Sequence, residues 1–567
     1  MDNRDFPGMC RTIVDEILSW DPSYSTQLGW QKYDHLVMDP SRKAFDHCDE
    51  RLSEFIRMFE EFEDAELEPD YIIDRDLATY MFRLRKFEIS RLRIPEQMSI
   101  AEDEIGRSLF FLFVRDDQPF DARARAMTSR LEKTPKFLED ARKTLIRPYR
   151  LWTEISLATG KELPSFLELV RSSTVVKLAI EEDIMKFSGA MADAQEAIIA
   201  YERWLREDVL PYAHDDNSIT SDDFEEYMRL KEFSVTADEA LEIGEIGLKI
   251  ANRQRLKIGK ELVPSGKPAD AIRMMKNDHP PTYEGVLKSY REWIERAREF
   301  VISNDLATIP DGEKLLVVET PQFMRRQAPF AAQYEPGKYS RSMTGLFMVT
   351  PDDGNLELLK EHNYASIANT SVHEGYPGHH LQGVCANQNP SDIRTLSAAP
   401  CFGEGWALYC EGMMFASGFE NSSMGKLAQL NDLVFRMVRI KADVCLARKT
   451  MTPEDAAGLL VKETGMDEKS ALDDVKSYTY GMTYYMSYFI GMLEMLKLRE
   501  EIESALGERF DLREFHDSLL FAGCLPMHFL RRVEALRLKR DYDVELPDSK
   551  ETLLEFIKRR HSDGAEF

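Results

Sequence analysis

Apolar residues recur at three- and four-residue intervals through most of the first 300 positions, the pattern of helices that bury one face. Two stretches carry it without a break, Val175 to Arg206 and Ala237 to Leu262. The second also has a start signal, because Thr236 can cap it and Glu239, three residues on, completes a capping box. Breaks fall at Leu210-Pro211 and across His214 to Asp223. The acidic run there reads as a solvated loop and helix start, since the glycine turn and regular oxygen spacing of a calcium loop are missing.

Between Leu306 and Pro351 the texture changes. Leu315 to Glu319 and Gly345 to Thr350 are short apolar runs bounded by proline or glycine, which predicts strands. A polar loop, Tyr334 to Arg341, lies between them and could reach a cleft. Strands in this position could offer a sheet edge to an extended peptide. Helical periodicity then resumes. Leu356 to Glu361 leads through Asn363 and Ser366 into a histidine-rich segment. Helices follow at Glu404 to Gly418, Met424 to Arg448, Thr452 to Thr464, Thr483 to Ala505, Leu512 to Ala522 and Met527 to Lys539. The expectation is a mainly α protein with a small β region just before the histidine segment. Its parts would be an N-terminal helical lobe (1–300), a strand region (301–355) and a helical catalytic lobe (356–567), forming one continuous unit.

Charge and cysteine content narrow the function classes. A net charge of -27 argues against nucleic acid, whose phosphates require clustered Lys and Arg. The start, Met1 to Asp5, lacks the basic residues and apolar run of a signal peptide. No apolar run reaches the roughly 18 residues of a membrane span. The seven cysteines (Cys10, Cys48, Cys385, Cys401, Cys410, Cys445 and Cys524) are scattered and form no C-x-x-C pair. Reduced thiols in a cytoplasmic protein, with neither membrane nor nucleic acid as partner, are therefore expected.

The candidate chemistry is concentrated in Val372 to Leu381, which holds three of the eleven histidines and a glutamate directly after the first. In the H-E-x-x-H arrangement, two histidines on one helix face bind zinc and the glutamate acts as general base. Here the residue four after His373 is Pro377, while His379 and His380 lie six and seven positions on. On a straight helix that is a rise of about 9 to 10.5 Å, too far for two imidazoles to share one ion. Gly375 to Gly378 must therefore distort and shorten the path. His380 lies nearer His373 on the helical wheel, but His379 has less distance to recover, so His379 is preferred and His380 stays open as a ligand.

A third ligand is available at Glu404, in Gly403-Glu404-Gly405-Trp406-Ala407-Leu408-Tyr409-Cys410-Glu411. Glu411, seven residues on, shares its helix face and could hold a ligand histidine through that residue's other nitrogen, or pair with a nearby Arg or Lys. One zinc ion per chain, bound by His373, His379 or His380, and Glu404, would activate water, with Glu374 taking its proton. A phenol could donate to the developing oxyanion, Tyr488 first and Tyr484 second. Two bland readings stand beside these. His516-Asp517 is read as structural, because adjacent helix residues do not face each other. Arg436, Arg439 and Lys441 beside Asp443 are read as ion pairs backing the site, with an anchor for a substrate carboxylate as the alternative.

His-Glu-x-x-Pro-Gly-His-His-Leu-Gln followed by Gly-Glu-Gly-Trp-Ala-Leu-Tyr-x-Glu resembles the DUF885 family of unknown function, which is similar in its metal motif to gluzincin-type metallopeptidases. Further blocks resemble the family at Thr236 to Gly244, Thr320 to Phe323 and Phe515 to Pro526. The resemblance runs from about residue 20 to 545. It implies a mostly helical zincin-like fold, one divalent metal and a hydrolase acting on short peptides. The chain departs from the family at Ser477 to Gly491. Tyr478 and Tyr488 match there, but an arginine, a Pro-Gly-Gln and a lysine of the family pattern are replaced. Substrate contacts are affected more than metal binding. Two rival expectations are a helical protein that binds peptides without cutting them, and a structural zinc site closed by His373, His379, His380 and Glu404.

Overall fold

The computed structural model describes residues 5–115, 118–325, 330–351 and 359–567. The chain begins with helices α1 (Phe6–Trp20), α2 (Arg42–Glu60) and α3 (Pro69–Phe87). Then come α4 (Ala101–Val114), α5 (Phe120–Thr144), α6 (Leu163–Lys177) and α7 (Glu181–Trp204). These last four enclose a hydrophobic core of their own, which includes Leu109, Leu131, Val170 and Met191 and is closed by Met348 of the sheet. The larger core draws on both ends of the sequence, from Phe6 to Ile557.

The uninterrupted helix expected over Val175 to Arg206 is two helices. Leu178 and Ile180 are extended, at ψ 132° and 120°, and α7 starts on Glu181, Glu182 and Asp183. Periodicity misses the break because both helices bury a face in the same core. The three acidic residues were the start signal, since negative charge favours a helix N-terminus. The capping box at Thr236 and Glu239 does open α8 (Ala237–Leu262), with Thr236 N donating to Glu239 at 2.8 Å.

After α9 (Tyr283–Ser303) the chain forms β1 (Lys314–Glu319), β2 (Ala331–Tyr334) and β3 (Thr344–Val349). The order is β1-β3-β2, with β1 parallel and β2 antiparallel to β3. β1 and β3 occupy the two expected strand regions. β2 is not among the expected strands, because Ala-Ala-Gln-Tyr has no apolar alternation, and its last residue, Tyr334, falls at the start of the expected loop; its pairing with β3 makes it a strand, and it forms one edge of the sheet. Of the segment expected at Leu356 to Glu361, positions 356–358 lie outside the described residues.

The remaining helices used below are α10 (Tyr364–Glu374), α11 (His379–Ala386), α12 (Pro400–Ala416), α13 (Ser423–Ala447), α14 (Glu468–Tyr478) and α15 (Tyr484–Leu506). The helices α12 and α15 meet through glycine. A Cβ on Gly491 would lie 1.8 Å from the carbonyl oxygen of Cys401, and one on Gly405 would lie 2.5 Å from the carbonyl carbon of Gly491. Any larger residue would force the two backbones apart. That close approach sets Glu404 of α12 opposite the tyrosines of α15. Among the described residues, no helix is long and apolar enough to cross a membrane.

Candidate metal centre

Asn363 caps α10, accepting the N–H of Ser366 at 3.0 Å, and the helix carries His373 and Glu374 in its last turn. It stops at Gly375 (φ -104°, ψ -97°), and α11 starts at His379. The peptide bond between Tyr376 and Pro377 is cis. Gly378 N donates to Val372 O at 3.1 Å, and a Cβ on Gly378 would stand 1.9 Å from the carbonyl oxygen of His373. Only glycine fits so close a backbone approach. Trp406 of α12 donates its indole N–H to Pro377 O at 2.8 Å, tying the break to the next helix. The expected distortion of Gly375 to Gly378 is thus a full interruption between two helices.

The interruption brings His373 and His379 together, with ring centroids 4.9 Å apart and planes at 85°. Glu404 Oε2 lies 3.2 Å from His379 Nε2 and 3.8 Å from His373 Nε2. One ligand atom from each of the three residues lies within 4.8 Å of the others. Bonds of about 2.0–2.1 Å at a tetrahedral angle would separate neighbouring ligand atoms by roughly 3.3–3.4 Å, so two imidazole nitrogens and a carboxylate oxygen at these distances fit a zinc-sized ion with small adjustments.

The surroundings orient His373 and Glu404. His373 Nδ1 lies 2.7 Å from Glu411 Oε1, and Glu411 Oε2 accepts the Asn369 amide at 2.9 Å. The same amide reaches Asp432 Oδ2 at 2.8 Å. Glu404 Oε1 accepts the hydroxyl of Tyr484. Burial disfavours charge on His373, but Glu404 and Glu411, helped by Glu374, outweigh it and push its pKa up to about 10. Burial likewise opposes the charge on Glu404, yet the two histidines hold its carboxyl well below the usual range.

His380 is separated from this group. It is fully buried on the other side of α11, with Nε2 2.8 Å from Glu313 Oε2. Glu313 also receives Arg298 Nε at 2.9 Å and the Tyr376 hydroxyl. Consecutive helix residues point about 100° apart, so once His379 faces Glu404, its neighbour cannot. Tyr484 is the phenol on Glu404, whereas the Tyr488 hydroxyl lies 3.5 Å from that of Tyr484, one step further out.

The ion pairs expected of Arg436, Arg439 and Lys441 beside Asp443 form in part and with other partners: Arg439 meets Asp474 at 3.3 Å and Arg436 reaches Asp432 at 3.9 Å, while Asp443 accepts Thr483 N and Met486 N, each at 3.0 Å, at the start of α15. His516 bonds Leu306 O at 2.7 Å and the Tyr409 hydroxyl at 2.8 Å, while Asp517 accepts Thr308 N at 2.8 Å, so the two neighbours face different partners.

Sequence reasoning missed Asn369, Asp432 and Glu313. Asn369 had a signal, since it lies four residues before His373 on the same helix face. Glu313 and Asp432 had none, because only the tertiary fold brings them to their partners. The three candidate ligands, Glu374 and both tyrosines line a cavity of about 1180 Å³. Its walls include β2, the facing sides of α13 and α15, and Ser99 and Glu102 from the N-terminal part.

Two solved structures share the architecture. One, described as a "putative lipoprotein of unknown function" from Shewanella oneidensis, matches with TM-score 0.76 and 21% identity over 94% of this chain and 99% of its own. Another, described as the "putative lipoprotein" from Colwellia psychrerythraea, matches with TM-score 0.80 and 20% identity over 95% and 99%. The word lipoprotein gives those two proteins a membrane-anchored location outside the cytoplasm, and it is the finding that stands against the cytoplasmic expectation drawn from the first residues and the cysteines. No curated protein matches the chain. The sequence does match, over residues 22–533, the family described as "Bacterial protein of unknown function (DUF885)", and the chain belongs to that family.

Proposed function

We propose that this protein is a zinc-dependent metallopeptidase that cleaves short peptides, with a zincin-like arrangement of its site. One observation carries the reading: His373, His379 and Glu404 present three ligand atoms within 4.8 Å in the wall of a large cavity, with the Glu374 carboxyl beside them. Three protein ligands with a free position are the mark of a catalytic rather than a structural zinc site. The engagement of His380 by Glu313 favours that open position over a site closed by four protein ligands.

When bound, zinc supplies Lewis acidity, which acidifies a water and polarises the scissile carbonyl. His373, His379 and Glu404 would hold the ion, and Glu411 fixes the ring of His373. Glu374 takes a proton from the attacking water as its oxygen bonds to the carbonyl carbon. The C–N bond then breaks, and the same carboxyl returns the proton to the leaving amine. Burial and the charge of Glu404 push the Tyr484 and Tyr488 phenols up, so both stay protonated donors at neutral pH. Tyr484 steadies Glu404, and Tyr488 would donate to the developing oxyanion. The cavity wall formed by the edge strand β2 suits an extended peptide, whose backbone can pair with a free strand edge.

The test is hydrolysis of a mixed peptide library by zinc-loaded wild type and Glu374→Gln. The wild type should cleave, and the variant should lose at least about 10²-fold in turnover while retaining zinc. Equal rates in the two proteins would refute the reading.

A further inference from the structure

Among the described residues, four arginines line the cavity, and three have a close carboxylate partner. Arg325 meets Glu319 at 2.7 Å, Arg394 meets Asp74 at 2.6 Å and Arg439 meets Asp474 at 3.3 Å. The fourth, Arg436 of α13, comes no nearer than 3.9 Å to the carboxylate of Asp432 and donates once, from Nη1 to the Asp432 carbonyl oxygen at 3.3 Å. Its Nε is buried and has no hydrogen-bond partner among the described residues. A side chain only 15% exposed thus makes a single hydrogen bond with the described residues. A buried guanidinium in that state costs free energy unless something else satisfies it.

Its position says what that partner would be. The guanidinium carbon lies 5.8 Å from the centre of the Tyr488 ring. That ring is 5.7 Å from the ring of Tyr484, whose hydroxyl is on Glu404. Arg436 therefore stands across two tyrosines from the candidate metal ligands, a span on the order of 10 Å, or about three residues of extended peptide. A planar guanidinium matches a carboxylate by paired hydrogen bonds.

We propose that Arg436 anchors the C-terminal carboxylate of the substrate, which makes the protein an exopeptidase that cuts within about three residues of a free C-terminus. The inference rests on the metallopeptidase reading above and adds the end of the peptide that the site recognises. Asp432, which touches both Asn369 and Arg436, ties this anchor to the carboxylate behind His373.

The test uses an N-acetylated octapeptide library made twice, as free acids and as C-terminal amides, with products read by mass spectrometry. Wild type should cut the acids at least about tenfold faster than the amides, because an anchor for a charged group discriminates strongly against its loss. All cuts should fall in the last three positions. Arg436→Gln should bring the acid-to-amide ratio to within about twofold, and Arg436→Lys should keep part of it. The ratio is internal to each sample and does not depend on how much variant folds. Acids and amides cut alike by wild type, or a ratio unchanged in Arg436→Gln, overturns the proposal.

Retention of the two libraries on immobilised, zinc-loaded Glu374→Gln separates this from the parent reading. If wild type cuts nothing, the peptidase reading fails. The anchor still stands if acids are retained over amides and Arg436→Gln removes that preference, and it falls if acids and amides are retained equally.

Discussion

Glu411 Oε1 lies 2.7 Å from Nδ1 of His373, so the ring is held by one nitrogen while the other faces Glu404. Glu411 is buried, and its second oxygen is taken by Asn369. This is how a carboxylate fixes the orientation and basicity of a ligand histidine from behind.

Glu411→Gln should therefore weaken zinc binding by about 10- to 100-fold without removing it. Competition with a chromogenic chelator measures the change, and an unchanged affinity would mean that Glu411 has only a packing role.

The pair formed by Glu313 and His380 makes a different prediction, about pH. Burial opposes charge on Glu313, but His380, Tyr376 and Arg298 outweigh it and hold its pKa at about 2 against an ordinary 4.5. A depressed carboxyl pKa stabilises the fold fully above the unfolded value, and the gain disappears as pH falls from 4.5 through about 2. The shift corresponds to about 3 kcal/mol for a side chain with no solvent exposure. Denaturant unfolding of wild type and Glu313→Gln, compared at pH 6 and pH 3.5, should show the gap between them shrinking at the lower pH. A gap of constant size would show that this carboxylate is not the titrating group.

The helical character and the two longer strands were legible because they rest on local periodicity. So was the set His373, His379, Glu374 and Glu404, because Pro377 ruled out a regular helix and the glycines around it marked where the chain could break. The choice of His379 over His380 followed from distance along that break. What the sequence could not supply was long-range. Glu313 comes from the turn before β1, 67 residues from His380, and nothing local links them. Tyr484 was ranked behind Tyr488 because matching of the family pattern took no account of the close packing of α12 on α15, which brings Tyr484 to Glu404. Location failed for another reason: absence of a visible leader at the start of a chain and unpaired cysteines are weak evidence about where a protein works.

The central claim is the metal site, and the most direct measurement is zinc content by atomic emission for wild type, His379→Ala and His380→Ala after exposure to zinc and desalting. About one zinc per chain is predicted for wild type and His380→Ala, and none for His379→Ala, since one protein ligand of three is lost there. No zinc in the wild type, or zinc lost from His380→Ala and kept by His379→Ala, would contradict the account.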